Sequence, residues 1–296
     1  MKAESAARPG AEAGAAAKPR RRRARVRAAW RRIVAARCAE LGREDAGDAD
    51  SVHRRRVAIR RLRSVLALFA PCLDKVERRR YDVALRELGR AYGPVRDWDV
   101  ACLRSFPAAM KGVDAAAAAS VLAASDEARG AARARLASSG AAAECADLAG
   151  EIASWAAGPS VIAPEATNLP VEALAPELLR LLDRRARRRG RRIGRLSDKE
   201  LHALRRALKR ANYAAEALED VAPGLPLGRF RAAAGAVLDQ LGRFHDATVA
   251  RGLAEGLAAD DVPVGALVRR WAKRRARKAR RRLEPAWEAF RDAPRP

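Results

Sequence analysis

Two histidines, and the cations that follow them, are the residues in this sequence best suited to chemistry. His53 is followed by Arg56, Arg60 and Arg63, and His202 by Arg205 and Lys209. Steps of three and four residues place each set along one side of a helix, within an arc of about 80°. Neighbours in such a stripe stand about 5–6 Å apart, where two unit charges repel by about 3 kcal/mol at an effective dielectric of about 20. An empty stripe is therefore costly, and a row of anionic groups laid along it removes the cost. Arginine suits a row of phosphates, because its planar fork binds two oxygens at once and keeps its proton. Histidine at the head of the row adds a donor whose charged form an adjacent anion favours. A solvated basic face is the plainer account of one such stripe. The same His-x-x-Arg-x-x-x-Arg/Lys order occurs twice here, and duplication favours a shaped site.

Each stripe borders an apolar face. Val52, Ile59, Leu62, Leu66 and Phe69 form that face in the first copy, and Leu201, Leu204, Leu208, Ala211, Ala215 and Leu218 in the second. Arg61, Arg206 and Arg210 are expected to flank the stripes. Ser51 is expected to cap the first helix, and Ser197 with Glu200 to form a capping box on the second. Each histidine would then sit in a first turn, where the helix dipole favours anions. Three further basic segments, residues 20–32, 184–195 and 269–282, exceed what solubility needs. The latter two are assigned to the same anion site. Residues 20–23 read equally well as a flexible arm touching nucleic acid or another polyanion. Asp97, Asp99 and Asp246 are read as helix caps or arginine braces, Glu216 as an internal salt-bridge partner, and His245 as a packed residue at a surface edge.

The elements that position these residues are helical throughout. The chain has 296 residues, 49% of them apolar but only 4% aromatic, and its 61 Lys and Arg against 36 Asp and Glu leave a formal charge of +25. That imbalance argues against an ordinary metabolic enzyme and for a polyanionic partner, while the apolar content argues against disorder. Cys38, Cys72, Cys102 and Cys145 are scattered, with no C-x-x-C pair, so neither a structural zinc site nor a disulfide scaffold is expected. No signal-peptide pattern and no membrane span is read, and the chain is expected to be soluble and cytoplasmic. Prolines fall between periodic segments and alternating runs are absent, which gives an all-α chain. Helices are expected at 20–43, 51–70, 74–93, 97–109, 112–138, 141–157, 173–190, 198–220, 226–243, 246–258 and 263–291.

The two halves repeat. An offset of 149 sets His53 over His202, Arg56 over Arg205 and Arg60 over Lys209, and the LGRAYGPVRDWDV at 88–100 is echoed by LGRFHDATV at 241–249. The organisation expected is a disordered tail at 1–19, a first helical repeat at 20–157, a linker at 158–172 and a second repeat at 173–292.

These motifs, with VHRRRVAIRRLR at 52–63 and LHALRRALKRANYAAE at 201–216, resemble the conserved histidine α-helical domain, abbreviated CHAD. The resemblance spans roughly residues 20–292. It departs from the family pattern at Asn212, where members usually carry arginine. It implies two tandem helical-bundle repeats, related by a pseudo-twofold axis, around a basic groove lined by the histidine-bearing helices. It also implies binding of inorganic polyphosphate and association with polyphosphate granules. Members fused to a CYTH triphosphatase carry an E-x-E-x-K motif and a β-rich region, and this sequence has neither.

The function expected is therefore non-catalytic binding of polyphosphate, with no cofactor and no metal. The binding residues would be His53, Arg56, Arg60, Arg61, Arg63, His202, Arg205, Arg206, Lys209 and Arg210. A nucleic-acid-binding protein is the first alternative, weakened by the scarcity of aromatics among the basic stripes. A polyphosphate or triphosphate hydrolase is the second, weakened by the lack of an evident metal-binding carboxylate cluster or of a P-loop, H-E-x-x-H or G-x-S-x-G motif.

Overall fold

Proline, glycine and short polar caps break the chain into helices, in the order α1 (Val26–Leu41), α2 (Ala49–Leu68), α3 (Lys75–Ala91), α4 (Gly93–Val100), α5 (Phe106–Ala109), α6 (Ala115–Ser138), α7 (Ala141–Ala157), α8 (Pro164–Thr167), α9 (Val171–Gly190), α10 (Asp198–Glu219), α11 (Leu227–Glu255) and α12 (Val264–Asp292). The computed structural model of the chain describes residues 24–43, 47–257 and 263–296, so the expected tail and the basic residues 20–23 lie outside the described residues. No strand forms among the described residues, and their isolated bridges join Arg25 to Pro170 and Leu73 to Ile162. No described helix is long and apolar enough to cross a membrane. The four cysteines are buried thiols, and burial pushes Cys38 up to about 12.

Two helix starts set the register of the site. Ser197 caps α10 in the expected box, its hydroxyl accepting from the Glu200 N–H while the Glu200 carboxylate accepts from the Ser197 N–H at 2.8 Å. The start of α2 differs from expectation: Asp48 is the cap, accepting from the Ser51 N–H at 2.5 Å, and Ser51 lies buried inside the first turn. Asp48 and Ser197 keep the 149-residue offset, so His53 and His202 are each the fifth residue of their helices. Both stand just past the first turn, where each cap engages one N–H (Ser51 in α2, Glu200 in α10), so the dipole argument for phosphate at these histidines weakens.

The second copy also departs from its expected break. Residues 226–243 and 246–258 were expected as two helices, but α11 runs unbroken from Leu227 to Glu255. In the first copy Tyr92-Gly93-Pro94 separates α3 from α4, and nothing in LGRFHDA supplies an equivalent stop. Asp246 is thus inside a helix, as are Asp97 and Asp99 in α4, and none of the three is a cap. Between α4 and α5 the helix widens into a π-turn at Ala101–Ser105.

One hydrophobic cluster joins the two halves, running from Val26 and Trp30 in α1 to Trp287 and Phe290 in α12. Aromatics are few but deeply placed: Trp30 packs edge-on against Phe69 and Trp155, at 5.4 and 5.6 Å between centroids. On α10, Leu204 and Leu208 share the buried face with Ala211, Ala214 and Ala215, whose small side chains let neighbouring helices come close. Residues 158–170 are tied down as they cross between the halves. Val161, Ile162 and Ala166 are buried, the Ala163 N–H donates to the Cys72 carbonyl at 2.9 Å, and the Val26 N–H donates to the Leu169 carbonyl at 2.9 Å.

Candidate functional site

Helices α2 and α10 pack against one another and turn their cationic stripes toward shared space. Two adjoining cavities of about 630 and 280 Å³ open there. Both are lined by Arg56, Arg60 and Arg63 from α2 and by His202, Arg206 and Arg210 from α10. Arg205 and Lys209 line the smaller one only, with Ser64, Asp97, Tyr213 and His245. Arg86 and Arg90 of α3 and Arg185 and Arg189 of α9 complete the larger. Eight of the ten residues singled out from the sequence therefore line this space, with contributions from both copies of the motif.

The remaining two do not. Arg61 is turned the other way, pairing with Glu40 at 3.2 Å and with Glu216 at 2.5 Å. Glu216 also reaches Arg231 of α11 at 3.7 Å, so the expected salt-bridge partner ties α2, α10 and α11 together. Arg61 is a brace behind the site, and its place in the binding set is corrected accordingly. His53 is exposed and lines neither cavity. Partial desolvation and then the charges of Arg96, Arg60, Lys209 and Arg104 lower its pKa, which puts it at the margin of the same positive field.

The interior of the site is short of negative charge. Desolvation, then repulsion from Arg60, brings Arg56 down to about 10, and its Nη1 donates to the Tyr92 carbonyl at 3.1 Å. Desolvation first, and then Arg205, Arg60 and Arg56, pull Lys209 from 10.5 to about 7, against a smaller opposing effect of Asp246. Arg205 is lowered by desolvation and by Arg60, and its Nε has no hydrogen-bond partner. The carboxylates present do limited work. Asp82 engages Arg63 through both oxygens at 2.9 and 3.2 Å. Asp97 and Asp246 are raised by desolvation despite arginines on either side. Among the described residues neither makes an ion pair with these cations, while at the rim of the larger cavity Glu87 pairs with Arg86 at 3.3 Å and with Arg90 at 2.6 Å. Asp99 is fully buried and braces Arg133 at 2.7 Å.

His245 was expected at a packed edge, and the structure sets it in the smaller cavity, its ring centroid 5.1 Å from that of His202. Burial and the surrounding cations drop it to about 3, and His202 is lowered for the same reasons. Both rings are neutral in the empty site at neutral pH. Of the two helical basic segments assigned to the site, residues 184–195 contribute Arg185 and Arg189. Residues 269–282 line neither cavity: Arg280 pairs with Asp198 at 2.7 Å, and Arg275 stacks over Trp271. Arg86 and Arg90 were missed. They are one helical turn apart on α3, and the available signal was their i,i+4 spacing next to the LG motif.

Such a site, with arginine forks converging from two helices and little competing negative charge, can hold several anionic oxygens at once. Fold and cavity together define an all-α protein with a cationic cavity between paired histidine-bearing helices. The family model described as the CHAD domain matches residues 24–255, and the chain belongs to that family. Among solved structures it is similar to the CHAD domain from the plant Ricinus communis, with 22% identity and a TM-score of 0.72 over 93% of this chain and 94% of that one. It is also similar to PptA from Streptomyces chartreusis, with 18% identity and a TM-score of 0.65 over 90% of this chain and 98% of that one. These likenesses speak for the fold. No curated protein matches the chain.

Proposed function

We propose that this protein binds inorganic polyphosphate in the cavity between α2 and α10, without cleaving it, and locates to polyphosphate granules. The observation that carries the reading is the convergence of Arg56, Arg60 and Arg63 with Arg205, Arg206 and Arg210 on one space, where, among the described residues, Asp82 is the only carboxylate in an ion pair with any of the six. A linear chain of phosphates offers charge at every step, which matches two stripes of cations better than a single anion does. Membership of the CHAD family supports the same ligand, since polyphosphate is that family's known association.

The test is competition at about 0.15 M salt, where distant charges are largely screened. Labelled long-chain polyphosphate is challenged with duplex DNA, RNA and heparin, for wild type and for the Arg56→Ala, Arg60→Ala, Arg205→Ala variant. Polyphosphate should win by orders of magnitude, and the variant should lose that preference. Equal competition by nucleic acid, with an unchanged variant, would overturn the proposal. Incubation of the complex with Mg²⁺ or Mn²⁺ should leave the chain length unchanged, and shortening would make the protein a hydrolase.

A further inference from the structure

The central cavities use Arg185 and Arg189 but leave the rest of that basic segment without a role. Beyond α9 the chain passes through Arg191 and Arg192 into a 3-10 turn at Ile193–Arg195 before Ser197 caps α10. Two more cavities, of about 580 and 870 Å³, lie along this turn. The inner one shares Arg189 and Ala203 with the 630 Å³ central cavity, and the outer one shares Arg188, Arg191 and Arg192 with the inner. The three spaces are neighbours, and arginine forms part of the wall between each pair.

Arg188, Arg189, Arg191 and Arg192 are all exposed, and among the described residues none has an ion-pair or hydrogen-bond partner. Their neighbour Arg187 shows what a structural arginine does here: it pairs with buried Asp183 at 2.8 Å and donates to the Arg291 carbonyl at 2.7 Å. The one carboxylate on the inner cavity, Glu200, is held by Ser197 at 2.8 and 2.7 Å in the capping box. Glu284 and Glu288 first appear on the outer cavity, where the unopposed positive surface ends. Four guanidiniums within five residues repel one another. Arg188 and Arg189 sit in the last turn of α9, where the helix dipole favours them, but Arg191 and Arg192 lie beyond it, and Ser197 already starts α10.

We propose that the turn between α9 and α10 is a second anion subsite, onto which a polyphosphate too long for the central cavity continues past Arg189. This rests on the polyphosphate reading above and adds selection by chain length. RNA fits the track less well, because the inner cavity is lined by arginines, Leu196, Ala203 and Glu200, and the Trp287 ring on the outer cavity is only 4% exposed, which leaves a base little to stack on.

The experiment uses the full chain, with tripolyphosphate and long-chain polyphosphate as probes at about 0.15 M salt. The Arg188→Ala, Arg191→Ala, Arg192→Ala variant is compared with wild type and with an Arg270→Ala, Arg274→Ala, Arg277→Ala control. The control positions carry the same charge loss on the exposed side of α12 and line none of these cavities. At roughly two- to threefold per exposed contact, the track variant should bind long-chain polyphosphate about tenfold more weakly and tripolyphosphate unchanged. The control should match wild type to within about twofold. An unchanged long-chain affinity, an equal loss for tripolyphosphate, or an equal loss in the control each overturns the track while leaving the central site standing. A wild-type protein that binds neither probe overturns the polyphosphate reading itself.

Discussion

Lys209 should make polyphosphate affinity fall as pH rises through the neutral range. In the empty cavity the amine is held at about 7 by desolvation and by Arg205, Arg60 and Arg56. A bound polyanion stabilises the ammonium and returns its pKa toward the ordinary 10.5. Between those two values, binding must take up a proton, and each pH unit costs about tenfold in affinity. From about pH 7 to about pH 9 the loss is about 50-fold, or about 2.3 kcal/mol, because the amine is still half protonated at the lower end. Even when the bound anion returns His202 and His245 to the ordinary 6.5, they titrate on the acid side of this window and add little to its slope. The stability of the empty protein moves the other way. The unfolded chain keeps its proton to about 10.5 while the folded one releases it near 7, so this group's contribution rises with pH between them. The assay is titration calorimetry with long-chain polyphosphate, whose end groups are a small share of its charge, in buffers of differing ionisation enthalpy. Wild type should take up close to one proton per site at about pH 8, and Lys209→Arg, charged throughout, should show a flat affinity and no uptake. A flat wild-type profile, or a Lys209→Arg profile as steep as wild type, would refute the reasoning.

Other substitutions test neighbouring steps. Arg60→Ala and Arg205→Ala should each weaken polyphosphate binding by about 1.5–3 kcal/mol, roughly 10- to 100-fold, in equilibrium titration. Gly190→Ala would set a methyl 2.1 Å from the ring of Trp287, which is 4% exposed and packed on Phe290. Overpacking of about 1–3 kcal/mol should outweigh alanine's helical advantage of about 1 kcal/mol and lower Tm in a thermal melt. Asp48→Ala and Ser197→Ala should each cost about 1 kcal/mol in denaturant titration, and an unchanged midpoint would deny the cap its role.

The sequence made the helices and the two stripes legible because both are local. Spacings of three and four residues read directly as a helix face, and the 149-residue offset paired Arg56 with Arg205 and Arg60 with Lys209, which the structure brings to the same cavity, though not His53 with His202. Ser197 and Glu200 were legible for the same reason. Asp48 was hidden among Asp48, Asp50 and Ser51, all acceptable caps within four residues. What failed was long-range. Arg61 sits beside Arg60 in sequence but about 100° away around the helix, and only folding brings it to Glu216. His245 lies on a helix whose expected break does not exist, so its direction could not be read. Residues 269–282 were assigned to the site on charge alone, and charge does not say which way a long helix faces.

The link from Arg61 through Glu216 to Arg231 crosses the two halves, and the apolar cluster around it is continuous. The cationic space between α2 and α10 is thus already formed in the protein without ligand. Capture should then be governed largely by encounter, accelerated by the long-range field of a chain carrying +25. Added salt should slow capture steeply, while the residence time is set by the arginine forks at close range.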